Sequence, residues 1–172
     1  MKRNVCMRKN RGFTLLEVLI AILVLSFGFL AFAGMQLISL RNAHSGTYQT
    51  VATQLAREMA DNLRANQVGV TGGFYDNPAV NGVLSTNCLT TAGCTVQNMA
   101  NMDIYMWTQK LAVVLPLGRG HVCRTSTLNT GTPAAPACTN TPGEPYAIKI
   151  WWDDSRTGAV PAAPNFVTVF QP

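Results

Sequence analysis

From Val18 to Leu40 the chain reads VLIAILVLSFGFLAFAGMQLISL, 23 residues without a charge. As a helix this run is about 35 Å long, enough to cross a hydrocarbon layer of about 30 Å. At Arg41 the pattern changes. Tyr48, Val51, Ala52, Leu55, Met59 and Leu63 recur at i, i+3, i+4, i+7 spacing, while Glu58, Asp61 and Arg64 lie mostly off that stripe. The spacing predicts an amphipathic helix whose apolar side is covered by a head domain. Ser45-Gly46 is a candidate soft point between the two halves, and Asn66, Gly69 and Gly72-Gly73 supply the stop. A continuous helix from Phe13 to Asn66 would be roughly 80 Å long.

The remaining residues read as a head, 67–172. Its first part, 67–100, is rich in Gly, Asn and Thr, with turn signals at Asp76-Asn77-Pro78 and Asn81-Gly82, and is expected to hold little regular structure. A second helix follows from Asn101, with Ile104, Trp107, Leu111 and Val114 or Leu115 on one face and Pro116 as its end. Three strands are predicted at Arg119–Thr125, Tyr146–Trp152 and Phe166–Phe170, separated by Pro- and Gly-rich loops. In the second, Tyr146, Ile148, Ile150 and Trp152 alternate with Ala147, Lys149 and Trp151. Sequential strands imply an antiparallel sheet of three or four strands laid across the upper half of the long helix, an α+β fold. Strand alternation turns one of Trp151 and Trp152 to the core and the other to the surface, so the pair is a candidate partner contact.

Charge sharpens this picture. Of 13 basic residues, five (Lys2, Arg3, Arg8, Lys9 and Arg11) precede Gly12, and the other eight balance eight acidic ones. The basicity belongs to a leader, 1–12, so the body is not a general polyanion binder and no direct nucleic-acid binding is expected. Basic residues before the apolar run hold the N-terminus in the cytoplasm and send the head across the membrane. Glu17 then stands out, because a carboxylate in lipid costs on the order of 3 kcal/mol or more.

Three readings of the N-terminus compete. A plain anchor leaves Glu17 unexplained. A secretory signal finds an A-x-A site at Ala31-Phe32-Ala33, yet Glu17 interrupts its apolar region and apolar residues continue to Leu40. The third places a cut after Gly12. It creates a free amine on Phe13, four residues before Glu17, which on a neighbouring subunit becomes the counter-ion that sets the register between packed helices. Buried charges specify register better than they add stability.

The run Gly12-Phe13-Thr14-Leu15-Leu16-Glu17-Val18 resembles the cleavage and methylation motif of type IV pilins and related pseudopilins. The resemblance implies the type IV pilin fold. It also implies cleavage by prepilin peptidase between Gly12 and Phe13, N-methylation of Phe13, and subunit docking through Glu17. Major pilins commonly carry a proline in this apolar segment. Here there is none, only Gly28 and Gly34, each of which weakens a helix by about 1 kcal/mol relative to alanine. Ala33-Gly34-Met35-Gln36-Leu37, Ser39-Leu40 and Ala56–Asn66 further resemble the PilV-type minor pilins, also called type IV pilus modification proteins. For residues 13–40 this implies a membrane and fibre-core segment, and for 41–66 the amphipathic half of the stem.

That resemblance implies a structural job: priming pilus assembly at or near the fibre tip, in support of adhesion, twitching motility or DNA uptake. Implied partners are other minor and major pilins, the inner-membrane assembly platform, prepilin peptidase and a tip adhesin. The implied location is the inner membrane with a periplasmic head, then the extracellular pilus. A type II secretion pseudopilin is the alternative within the class; outside it, the alternative is a membrane-anchored or secreted binding domain with an ordinary signal.

Of five cysteines, Cys6 falls in the leader, leaving Cys88, Cys94, Cys123 and Cys138. Four cysteines allow three pairings, and pairing sequence neighbours, Cys88–Cys94 and Cys123–Cys138, is the simplest. An oxidising periplasm favours disulfides, and the larger loop gains roughly 3 kcal/mol by chain entropy. Zinc held by His121, Cys123 and two more cysteines is a rival that no C-x-x-C or H-x-x-x-H spacing supports, so no metal or cofactor is expected. His44 and His121 have no acid or nucleophile at a diagnostic spacing, and no enzyme is expected. Asp153-Asp154-Ser155-Arg156-Thr157-Gly158 reads as a polar turn after a strand rather than a calcium loop.

Overall fold

The computed structural model describes residues 12–76, 82–91 and 93–171. Residues 1–11 of the leader, Cys6 among them, and the turn residues Asn77, Pro78 and Asn81 lie outside the described residues. Helix α1 runs Leu15–Ala65, 51 residues. The chain divides into two compact units between His44 and Ser45.

In the first unit every described residue is exposed. Within this unit the helix has no apolar partner of its own, so its backbone ladder must hold it. Ser26 Oγ donates to Ile22 O at 2.7 Å and hides its hydroxyl in that ladder. A Cβ placed on Gly28 or Gly34 would meet nothing within 4 Å. Among the described residues, α1 is the one helix long and apolar enough to cross a membrane.

In the second unit the predicted stripe is the buried one: Ala52, Leu55, Ala56, Met59 and Leu63 are buried, with Tyr48 and Val51 packed at its edge. Asn66 ends α1 and starts α2 (Gln67–Thr71) by accepting from Gly69 N at 3.1 Å through Oδ1. Its amide donates to Val96 O at 2.9 Å and Tyr75 Oη at 3.2 Å, tying that turn to the next helix. A short 3₁₀ turn, Thr86–Leu89, leads to α3 (Val96–Val114), capped by Thr95 Oγ1 accepting from Asn98 N at 3.2 Å. Residues 67–100 therefore hold more regular structure than their composition suggests, and α3 begins five residues before Asn101. Side-chain caps and tertiary contacts outweigh the weak helix preference of Gly, Asn and Thr here.

Strands β1 (Arg119–Arg124), β2 (Tyr146–Trp151) and β3 (Phe166–Phe170) form an antiparallel sheet with β2 in the centre. The register pairs Val122 with Ile148 and Ile148 with Thr168. The inner face, with Val122, Tyr146, Ile148, Ile150 and Phe170, closes one core with α1 and α3, and Trp152 joins it just past β2. Trp107 anchors α3 there, and its indole N–H donates to Leu55 O at 2.9 Å. Ser45-Gly46, the candidate soft point, lies within α1 at the boundary between the two compact units.

The outer face of the sheet is covered as well. The 125–145 loop folds across it, held where Thr125 N donates to Pro145 O and where Thr139 N and Asn140 N both donate to Arg124 O. Lys149, fully buried, donates through Nζ to the carbonyls of Thr127 (2.8 Å), Thr130 (3.1 Å) and Pro136 (2.8 Å). This loop overturns the surface placement of a tryptophan. Trp151 and Trp152 are both completely buried, so neither is a partner contact as the chain stands. Trp151 Nε1 donates to Gly131 O at 3.3 Å and Trp152 Nε1 to Asp154 Oδ1 at 3.2 Å. Alternation tells which side of a strand a residue takes, but not whether a later loop covers that side.

Candidate processing and docking site

Gly12, Phe13 and Thr14 precede the first helical residue, Leu15. Thr14 caps the helix: its carbonyl accepts from Glu17 N at 3.1 Å and Val18 N at 3.3 Å, and its Oγ1 accepts from Glu17 N at 3.3 Å. Glu17 is thus the third helical residue, and Thr14-Leu15-Leu16-Glu17 has capping-box spacing. A carboxylate in the first turn also faces the positive end of the helix dipole. The Glu17 carboxylate is exposed and makes no hydrogen bond or ion pair to a described residue.

Around Gly12 the chain leaves open space, since a Cβ there would meet nothing within 4 Å. No packing within the described chain requires glycine at that position. Phe13 is 82% exposed. The chain therefore presents an accessible Gly-Phe bond, a capped helix start, one first-turn carboxylate and a long bare apolar surface.

The head carries the other candidate residues. Disulfides join Cys88 to Cys94 and Cys123 to Cys138. The second pins the 125–145 loop to β1, beside His121. The Cys123 and Cys138 sulfurs are therefore already bonded where a metal reading would place them. Asp153 closes its loop as a turn, its carboxylate accepting from Ser155 Oγ at 3.3 Å, Thr157 N at 3.1 Å and Gly158 N at 2.6 Å. Partial desolvation pushes that carboxyl up, but these N–H and O–H donors outweigh it and hold it below the usual range. Asp154 reaches back to α1, accepting from Ser45 Oγ at 2.9 Å.

At the far end of the sheet a polar cluster knits helix and strands together. Arg124 Nε donates to Asp76 Oδ1 at 2.8 Å, and its guanidinium lies 4.8 Å from the centre of the Tyr146 ring. The Tyr146 hydroxyl also donates to Asp76. Burial first, and the Asp76 hydrogen bond second, push that phenol up to about 12. Tyr75 Oη donates to Asp103 Oδ2 at 2.6 Å; burial raises the Asp103 carboxyl and this hydrogen bond pulls it partly back. The surroundings of these groups are those of a structural network, with each charge answered by a neighbour.

His121 pairs across the strands with Lys149 and is 6% exposed. Burial, then the Lys149 cation, lower its pKa to about 4. In the unfolded chain the imidazole titrates near 6.5. Between these values the unfolded state takes a proton that the fold refuses, so stability falls as pH drops from about 6.5 to about 4, then stops falling for this reason. The full span corresponds to about 3 kcal/mol. Asp103, its carboxyl raised, works in the opposite sense in acid. The comparison is therefore with His121→Phe: wild type should lose more melting temperature than the variant between pH 7 and pH 4, by circular dichroism in detergent. Parallel curves would remove His121 from the account.

An α+β head on an apolar helix that must be covered by lipid or by other helices defines a membrane-anchored subunit built for association. Two family models agree with that class. The prokaryotic N-terminal methylation motif matches residues 7–33, and the family described as type IV pilin Tt1218 matches residues 34–105. The two matches are consecutive and consistent with a type IV pilin, and the chain has the long apolar helix and antiparallel sheet of the type IV pilin fold. No curated protein and no solved structure matches it. Type IV pilins are structural proteins, and that likeness implies assembly with other pilins and a role as substrate of prepilin peptidase. The motif and the apolar helix point to membrane anchoring and to a pilus.

Proposed function

We propose that this pilin is a minor subunit of the PilV type, which helps prime pilus assembly and sits at or near the fibre tip. In this reading prepilin peptidase cuts between Gly12 and Phe13, the new amine is methylated, and Glu17 docks the subunit against a neighbour. The head is periplasmic while the subunit waits in the inner membrane, and extracellular once it is in the fibre. Adhesion, twitching motility or DNA uptake follow from the fibre, with a tip adhesin and the assembly platform as partners.

The observation that carries this reading is Glu17 in the first turn of an exposed, uncharged helix, five residues after an open Gly12. Lipid or neighbouring helices must cover that surface, and a lone carboxylate inside either needs a cation. The amine created at Phe13 is the nearest one the chain can supply. The stem residues Ala33–Leu37 and Ala56–Asn66 support the PilV type within the class. Mass spectrometry of the mature N-terminus tests the processing step. The expected result is a chain beginning with N-methylated Phe13; one beginning at Gly34 would show ordinary signal cleavage and overturn it.

A further inference from the structure

The outer face of β1 gathers three metal-ligating side chains. His121 and Cys123 are two apart on one strand and so share a face, and the 125–145 loop returns Cys138 to the same place. One ligand atom from each of the three lies within 4.8 Å of the others. Cys123 and Cys138 are bonded to each other here; with that bond reduced and the sulfurs parted, a tetrahedral ion with bonds of about 2.0–2.3 Å matches the donor set. His121 is 6% exposed. Lys149 pairs with His121 across the strands, and its Nζ donates to Pro136 O, two residues before Cys138.

We propose that the dithiol form of this head binds one divalent cation of the zinc class through His121, Cys123 and Cys138, with water as fourth ligand, and that forming the Cys123–Cys138 bond expels it. The site goes beyond the pilin role and does not depend on it. In the chemistry required, a dithiol reductant gives two electrons and two protons to the disulfide and is itself oxidised to a disulfide. Metal binding then releases the two thiol protons to solvent; expulsion needs the reverse exchange, in which a disulfide oxidant takes two electrons from the two thiolates and two protons from solvent, becomes a dithiol, and leaves the Cys123–Cys138 bond and the free cation.

The test uses the full chain in detergent carrying Cys6→Ser, Cys88→Ser and Cys94→Ser, so that Cys123 and Cys138 are the remaining thiols. After phosphine reduction under inert gas, Co(II) is added and followed by absorption. One equivalent per chain should give a sulfur-to-cobalt charge-transfer band and the visible bands of a tetrahedral site, both bleached by Zn(II) and absent before reduction. Loss of an outer-shell partner already costs about tenfold or more in affinity, so His121→Phe should cost at least that, while His121→Cys should retain binding with a stronger sulfur band. No charge-transfer band in the reduced protein overturns the proposal. So does a band of equal affinity in urea, which would owe nothing to the fold, or His121→Phe binding Co(II) as tightly as the parent.

Discussion

Glu17→Ala should be cut and methylated normally yet fall about tenfold or more in sheared pili, since removing one partner of a buried pair leaves the other charge unanswered. The structure adds a discriminating variant. Thr14 and Glu17 have capping-box spacing, so a bland account of Glu17 is helix capping inside its own chain. Glutamine serves that box nearly as well as glutamate but carries no charge. If docking depends on the carboxylate meeting the Phe13 amine, Glu17→Gln should fail as badly as Glu17→Ala. If Glu17 only caps the helix, Glu17→Gln should be incorporated like wild type, and the pairing idea is lost. The readout is the ratio of processed subunit in pili to that in membranes, by quantitative immunoblot.

The second large effect is in the head. Gly120 lies on the inner face of β1, where a Cβ would stand 2.3 Å from Leu111 Cδ1 and 2.4 Å from Trp107 Cη2. Trp107 cannot retreat freely, because its indole N–H is bonded to Leu55 O on α1. Gly120→Ala should therefore destabilise the head by about 3 kcal/mol, the upper part of the range for overpacking. Trp107→Phe removes the Trp107 part of the clash, leaving Leu111 Cδ1, at a cost of its own. In the double variant the two costs should add to less than their sum, with a favourable coupling of about 1 kcal/mol or more. Strict additivity in urea unfolding of the detergent-solubilised protein would show that the ring is not what Gly120 accommodates.

Much of the architecture was legible because it rests on short-range pattern. The 3.6-residue stripe of Ala52, Leu55, Met59 and Leu63 is the buried stripe, and Phe166–Phe170 is a strand with the expected bounds. The spacing of Thr14-Leu15-Leu16-Glu17 is equally local, and it places a capping side chain three residues before the carboxylate. Where Gly, Asn and Thr prevail, local preference is weak. Asn66 looked like a stop but also starts α2 and ties it to Val96, a contact 30 residues away that no window contains.

By itself the sequence determined the processing motif, the apolar run, the stripe that takes the head, and the order of helix and strands. Each is a matter of residue type and spacing over fewer than about thirty positions. Only the tertiary structure decided the fate of the outer sheet face. Folding the 125–145 loop over it buried Trp151, wrapped the Lys149 ammonium in three carbonyls, and brought His121 against Cys123 and Cys138. Which side of a strand a residue takes is local, but burial depends on what the rest of the chain later lays over that side.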